Sequence, residues 1–297
     1  MSEPRTDPTA QPSEHTTGPR RHAWNTGFTW QDRTGPFRRL TEEQVARFDT
    51  DGYLVLPEVL DADELVAVVA ALDRFEAETD AALAQADGGR VLIAETGAIT
   101  FTTHLVERSS VAAQVSRHPV LLDVCADLIS GDVSLYWDQA VYKKPTKPRR
   151  FPWHQDNGYT YVEPQQYLTC WMALTDASRA NGCPMVAPGL HRLGTLAHTY
   201  VDPLGYECFT DPPVAAVAAE VPAGGAVVFS SLTPHLTGPN TTDGVRKAYI
   251  LQYAPTGAVA LRGDPEVGPP TAREPCAHPA RQYQVLRDRR PVTQTTR

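Results

Sequence analysis

The sequence predicts a mainly β protein with packed helices, its strands forming an antiparallel sandwich or closed jelly roll. Three observations carry this. Up to Gly131 the apolar residues recur at helical spacing. Beyond it, short apolar or alternating runs succeed one another, punctuated by Gly, Pro and Asn. Those runs are not separated by the long helical patterns that parallel βαβ units require. No internal repeat of fixed period is evident.

Residues 1–38 are rich in Pro, Thr, Arg and Ser without sustained periodicity, which predicts a mostly disordered N-terminal arm. Trp24, Phe28, Trp30 and Phe37 run against that composition and suggest that part of the arm lies across the folded body. Thr41 and Gln44 have the spacing of a capping box, with Val45 and Phe48 on one helical face and Asp51-Gly52 as the stop. Tyr53-Leu54-Val55-Leu56 reads as a short strand ended by Pro57. Asp61 and Glu64 open a second helix, whose stripe is Leu65, Val68, Leu72 and Phe75 and whose break is Gly88-Gly89. A third follows Pro119 with Leu121, Val124 and Leu128, and stops at Gly131. Strands are predicted over 133–142, 167–174, 185–187, 226–229 and 248–253. The reading is one domain over 39–258, helical at 41–130 and jelly-roll at 131–258. A polar, turn-rich segment, 259–297, follows it, and its order is left open.

Composition narrows the function classes. At 297 residues the chain can bury a full core, and 41% hydrophobic with 21% charged residues is an ordinary globular balance. A net charge of −8 without a long basic stripe argues against a nucleic-acid partner. There is no apolar run of about 18 residues, so no membrane-spanning helix is expected. The polar, Pro-rich start lacks the apolar core of an ordinary secretory signal. The five cysteines, Cys125, Cys170, Cys183, Cys208 and Cys276, are odd in number and none stands at Cys-x-x-Cys spacing. They read as buried, reduced thiols of a cytoplasmic protein rather than a disulfide scaffold or zinc knuckle.

The most informative stretch is Trp153-His154-Gln155-Asp156. In an extended backbone, residues two apart share a face, so His154 and Asp156 can converge on one ion. His235, at the end of the run 226–229 in the turn-like Ser231-Leu232-Thr233-Pro234-His235, can complete a facial triad that leaves three coordination positions open. A His-x-Asp pair alone also arises by chance in a surface loop. Arg246 lies eleven residues beyond His235, inside an apolar run. It is either a strand-edge arginine in a surface ion pair or a bidentate anchor for the far carboxylate of a dicarboxylate such as 2-oxoglutarate.

Taken together, His154-Gln155-Asp156, the segment Asn181-Gly182-Cys183-Pro184-Met185-Val186-Ala187-Pro188-Gly189-Leu190-His191, His235 and Arg246 resemble the phytanoyl-CoA dioxygenase family. Ectoine hydroxylase and tailoring oxygenases of natural-product pathways are members. The Asp-Gly-Tyr-Leu-Val-Leu-Pro run within 41–60 is similar to that family's N-terminal segment, and the likeness spans roughly residues 40–255. The resemblance implies a double-stranded β-helix, Fe(II) held by His154, Asp156 and His235, 2-oxoglutarate as cosubstrate and O2 as oxidant. Asp156 fills the position that halogenating relatives leave vacant for halide, which favours hydroxylation of a small-molecule metabolite, or a related oxidation such as desaturation, epoxidation or ring closure, over halogenation. Rivals are a jelly-roll binding protein without catalysis and a zinc hydrolase at the same three ligands.

Other candidates carry two readings each. Thr237 is an ordinary turn threonine or, by the resemblance, a hydroxyl that helps hold the cosubstrate. Gln139 and Tyr142 face the cosubstrate or are satisfied within the sheet. Trp171 is core or lines the cavity. Asn157, Tyr159 and Tyr161 are turn residues or border the open coordination position as substrate contacts. The cluster Lys143, Lys144, Lys147, Arg149 and Arg150 is a solvated loop or a landing site for an anionic substrate. His191 reads as structural, and His104 as a residue that can approach the cavity from the helical side.

Overall fold

The computed structural model describes residues 18–293, so residues 1–17 of the expected arm and residues 294–297 lie outside it. Both capping boxes form. Thr41 and Asp61 accept from the backbone three residues on, and Gln44 and Glu64 reach back, at the starts of helices Glu42–Asp51 and Ala62–Gln85. Gly52 closes the first helix at φ +84°, in the left-handed region that glycine enters without steric cost. Pro119 opens helix Pro119–Leu128. Helix Ser110–Val115 goes beyond the prediction, because six residues are too few to display a period. Among the described residues no helix is long and apolar enough to cross a membrane.

The strands form an antiparallel jelly-roll core whose sheets do not close on each other. The main sheet runs in the order Tyr53–Leu56, Ala226–Ser230, Leu168–Ala173, Arg246–Pro255, Val133–Lys143 and Ile99–Thr103. A smaller sheet packs across it in the order Val217–Ala218, Pro184–Val186, His235–Thr237 and Phe151–His154. The alternation of strand side chains sorts two cores. Cys170, Met172, Tyr249 and Leu251 pack outward against Leu72, Phe75, Leu121 and Val124 of the helices. Trp171, Ala173, Val227, Phe229 and Ala248 pack inward against Val186 of the smaller sheet.

Two regions carry more strand than the sequence suggests. Ile99–Thr103 joins the main sheet beside Val133–Lys143, so the stretch 41–130 is not helical throughout. Beyond residue 258, Val259–Arg262 pairs with Ala272–Pro275 and with Val162–Glu163, and Gln284–Arg287 adds to Val133–Lys143. Only Val285 and Leu286 of that last strand are buried, too short an apolar signal to stand out in a polar segment.

Residues 18–38 lie across the body, and their aromatics are what anchor them. Trp30 is buried against Phe48 and His191, with its Nε1 donating to Asp49 at 3.1 Å. The segment's end is pinned by Asp127 of helix Pro119–Leu128. Its buried carboxylate accepts from the backbone N–H groups of Arg38, Arg39 and Leu40 at 2.8, 3.0 and 3.1 Å, and from Arg289 at 3.3 Å. Removing that acceptor strands buried donors, at about 1–3 kcal/mol for each one left unsatisfied. Asp127→Ala should therefore lower unfolding stability in urea by about 2–4 kcal/mol. Asp123→Ala, on the same helix but 40% exposed at its side chain, should change it by less than about 0.5 kcal/mol.

Candidate metal centre

His154 and His235 are direct cross-strand partners in the smaller sheet, and their rings lie 4.1 Å apart. Strand alternation places them. Trp153 and Leu236 turn outward into an apolar cluster with Leu196 and Phe209, which leaves His154, His235 and Thr237 facing the space between the sheets. Asp156 does not continue the strand. It opens the short 3-10 turn Asp156–Gly158, but the intervening Gln155 is extended and returns the carboxylate to the histidine side. His154 Nε2 and Asp156 Oδ1 are 3.9 Å apart, and the ligand atoms of all three residues lie within 4.8 Å of one another.

The surrounding hydrogen bonds decide which atoms are free. His154 Nδ1 lies 2.8 Å from the Pro152 carbonyl, and His235 Nδ1 lies 3.0 Å from the Thr233 carbonyl. A carbonyl only accepts, so each Nδ1–H donates and each Nε2 keeps its lone pair. Burial, then the neighbouring His235, holds the His154 pKa well below the usual imidazole value, which keeps the ring neutral. The Thr169 hydroxyl donates to Asp156 Oδ2, and Gln252 Nε2 reaches that hydroxyl at 3.4 Å. Two imidazole Nε2 atoms and one carboxylate oxygen are the donor set suited to a divalent transition metal with open positions.

Behind His235, the sequence motifs that stand far apart in the chain meet. Thr233 Oγ1 donates to Gly52 O at 2.7 Å, Gly189 N to Asp51 O at 3.1 Å, and Ala187 N to Pro234 O at 3.0 Å. His191 packs edge-on to Trp30 at 4.3 Å with Nε2 3.2 Å from Asp49 O, so it is structural, as expected. A Cβ on Gly52 would sit 2.5 Å from His191 Nδ1 and 2.6 Å from Thr233 Oγ1. Glycine is therefore required there twice over, by conformation and by space.

The two sheets enclose a cavity of about 330 Å³ lined by the triad, Arg246, Gln139, Trp171, Tyr159 and Thr237 among others. Arg246 is 1% exposed. Its Nη1 reaches the Val141 carbonyl at 3.3 Å, while Nε and Nη2 have no partner among the described residues. Burial pulls its pKa down to about 9, and the Trp171 ring lies 5.0 Å from its guanidinium carbon. A buried cation with unpartnered N–H groups on a cavity wall is expensive unless an anion joins it.

Not every sequence candidate reaches the cavity. Tyr142 points the other way, its hydroxyl donating to Asp73 at 2.7 Å. Asn157 is buried, donating to Thr195 Oγ1 at 2.6 Å and accepting from Val162 N at 2.9 Å. Tyr161 packs against His22 and Trp24, and His104 stops behind Trp137. Lys143 is buried beside Arg246, its ammonium donating to the carbonyls of Arg149, Thr237 and Gly238 at 3.0, 2.8 and 2.5 Å. The rest of the basic run is paired. Lys144 meets Asp80 and Glu76, Lys147 and Arg149 share Glu95, and Arg150 meets Glu207. The cluster is therefore not a free cationic landing site. Thr169, Gln252, Trp137 and Phe229 line the cavity without having been singled out from the sequence. Thr169 keeps phase with Trp171, and Gln252 with Arg246, which is the signal that could have found them.

Comparison with known proteins bears on this site. A family model described as phytanoyl-CoA dioxygenase matches residues 48–248. A protein of Caenorhabditis elegans named probable phytanoyl-CoA dioxygenase is 32% identical over 152 residues, 46% of this chain and 49% of its own length, so the match spans about half of that relative. The ectoine dioxygenase of Stutzerimonas stutzeri is 26% identical over 253 residues, covering 76% of this chain and 83% of that one. The crystal structure of the epimerase SnoN with Fe3+, α-ketoglutarate and nogalamycin RO superposes with a TM-score of 0.66 at 22% identity, covering 82% of this chain and 97% of that one, a likeness of fold.

Gly52→Ala tests the link between the first helix and His235. The variant should lose about 1–2 kcal/mol of stability from the left-handed backbone alone. Displacement of Thr233 should also weaken cobalt(II) binding by about tenfold in a spectroscopic titration. Unchanged cobalt affinity would separate the glycine from the metal centre.

Proposed function

The chain belongs to the phytanoyl-CoA dioxygenase family, and from that premise we propose that it is an iron(II)- and 2-oxoglutarate-dependent dioxygenase. It oxidises an unactivated C–H bond of a small-molecule metabolite, with hydroxylation as the outcome and natural-product biosynthesis as the setting. The observation that carries this reading is the buried guanidinium of Arg246, whose Nε and Nη2 have no partner among the described residues, in the same cavity as the His154, Asp156 and His235 donor set. A metal alone would not call for a buried cation. A cosubstrate with a carboxylate at each end calls for both.

The residues present fit iron and 2-oxoglutarate. His154 Nε2, His235 Nε2 and Asp156 Oδ1 would hold iron, and Arg246 would pair with the far carboxylate of 2-oxoglutarate, with the Thr237 hydroxyl, Gln139 and Trp171 beside it. Iron so held supplies O2 activation coupled to conversion of 2-oxoglutarate into succinate and CO2. The chain's own work is positional. Pro152 and Thr233 fix the imidazole tautomers, and Thr169 keeps one oxygen of Asp156 engaged so that the other is presented. The aromatic walls exclude water and hold the target C–H near the open positions. Asp156 occupies the position that a halide would need, which supports hydroxylation over halogenation.

We place the activity in a single domain over 39–258, with residues 18–38 and 259–293 packed onto it. A reducing, cytoplasmic setting is supported by five cysteines that are all buried and unpaired. The rival zinc hydrolase does not by itself call for a buried cation beside the triad. His154→Ala and Asp156→Ala should each reduce succinate formation from 2-oxoglutarate, in the presence of iron(II) and O2, to background. Either variant forming succinate at the wild-type rate would sink the reading. Zinc-dependent hydrolysis that needs no 2-oxoglutarate would support the rival.

A further inference from the structure

Apart from the histidines, the titratable charges lining the cavity among the described residues are Asp156 and Arg246, and both already have tasks. The remaining wall is chiefly aromatic and aliphatic, Trp137, Phe151, Phe229 and Ile250 among it, with the uncharged side chains of Gln139, Gln252 and three threonines. The basic side chains of the 143–150 loop are held by carboxylates or carbonyls. A charged group on the substrate would enter without a counter-charge, at the cost of its hydration.

The apolar surface continues outside the cavity. Tyr159, on its wall, meets Tyr206 edge-on at 5.3 Å, and Tyr206 meets Tyr200 at 5.4 Å. The three rings are 37%, 38% and 42% exposed. Tyr200 and Tyr206 face each other across the hairpin Thr199–Val201 and Gly205–Glu207. Gly205 lets that hairpin approach the cavity, since a Cβ there would lie 2.9 Å from Tyr159 Oη and 3.2 Å from Ile93 Cγ2. A row of large rings left in water at the end of an apolar cavity is a ready platform for another flat apolar surface.

We propose that the substrate is a neutral molecule with a flat, fused-ring body, held between the aromatic walls of the cavity and resting its outer part on Tyr159, Tyr206 and Tyr200. This rests on the reading of Arg246 as the cosubstrate's partner, because otherwise Arg246 could receive an anionic substrate. Because Tyr206 stands edge-on to both Tyr159 and Tyr200, ring faces and ring edges together supply the affinity, and the lack of a spare cation rejects acids.

The test is equilibrium binding of two fluorescent probes, 2-(hydroxymethyl)anthracene and anthracene-2-carboxylate, to the manganese(II)-loaded chain with 2-oxoglutarate present. The alcohol should bind at least about tenfold more tightly than the carboxylate. The Tyr200→Ala, Tyr206→Ala double variant should weaken the alcohol about tenfold, and Tyr206→Phe should retain wild-type affinity. The affinity for 2-oxoglutarate, measured separately by calorimetry, should not move in either. No binding of the alcohol, equal or tighter binding of the carboxylate, or an unmoved alcohol affinity in the double variant would each overturn the proposal. Failure of 2-oxoglutarate to bind while the alcohol still shows its preference and its tyrosine dependence would strike the cosubstrate reading and leave the neutral ring site standing.

Discussion

A guanidinium buried between two β-sheets needs an anion, and much of this molecule is arranged around that need. Arg246 begins the strand Arg246–Pro255, opposite Lys143, so two cations occupy neighbouring interior positions. The chain treats them differently. Lys143 spends its ammonium on three carbonyls and helps hold the Thr237–Gly238 turn. Burial, and then the adjacent Arg246, pushes its pKa well below the usual lysine value. Arg246 donates one long bond, to the Val141 carbonyl, and among the described residues Nε and Nη2 have no partner. On the proposed reading the charge is tolerated because it is a binding element, with a triad that could hold a metal ion on the wall of the same cavity.

The triad depends on backbone more than on side chains. The cross-strand register of Phe151–His154 with His235–Thr237 sets the two imidazoles side by side. Carbonyls two residues earlier turn each ring so that Nε2 faces inward. Gln155 braces the strand by donating to Gly194 O and Leu232 O and accepting from Leu196 N. The Asp-Gly turn, the Pro-Gly-x-His segment and the Thr-Pro-His turn form one hydrogen-bonded block behind His235. Motifs separated by well over a hundred residues thus describe a single local structure.

That block explains how much could be read from the sequence. Helix starts were legible because capping boxes are local and chemical, and the layered core because strand alternation exposes it. The candidate metal ligands, which the structure brings within 4.8 Å of one another, were legible because two donors at strand spacing, a distant histidine and an interior arginine are rarely found together. What escaped was set by tertiary contact. Nothing in the local sequence separates Lys143 from Arg246, since the difference lies in the carbonyls of residues 149, 237 and 238. Tyr142 lies next in the chain to Val141, which faces the cavity, but on the opposite face of its strand, where Asp73 takes its hydroxyl. Phasing the strands from Arg246 would have found Gln252 and rejected Tyr142. The C-terminal strands gave too few apolar residues to show a period.

The measurement closest to the centre of this account is the preference for a second carboxylate. Calorimetric titration of the manganese(II)-loaded protein with 2-oxoglutarate and with 2-oxobutyrate, which keeps the keto acid and lacks the far carboxylate, reads it directly. The account expects 2-oxoglutarate to bind at least about tenfold more tightly, with the difference abolished in Arg246→Met. Equal affinity for the two acids in the wild-type protein would mean that Arg246 waits for some other anion, and would contradict the assignment of this cavity to a 2-oxoglutarate-dependent enzyme.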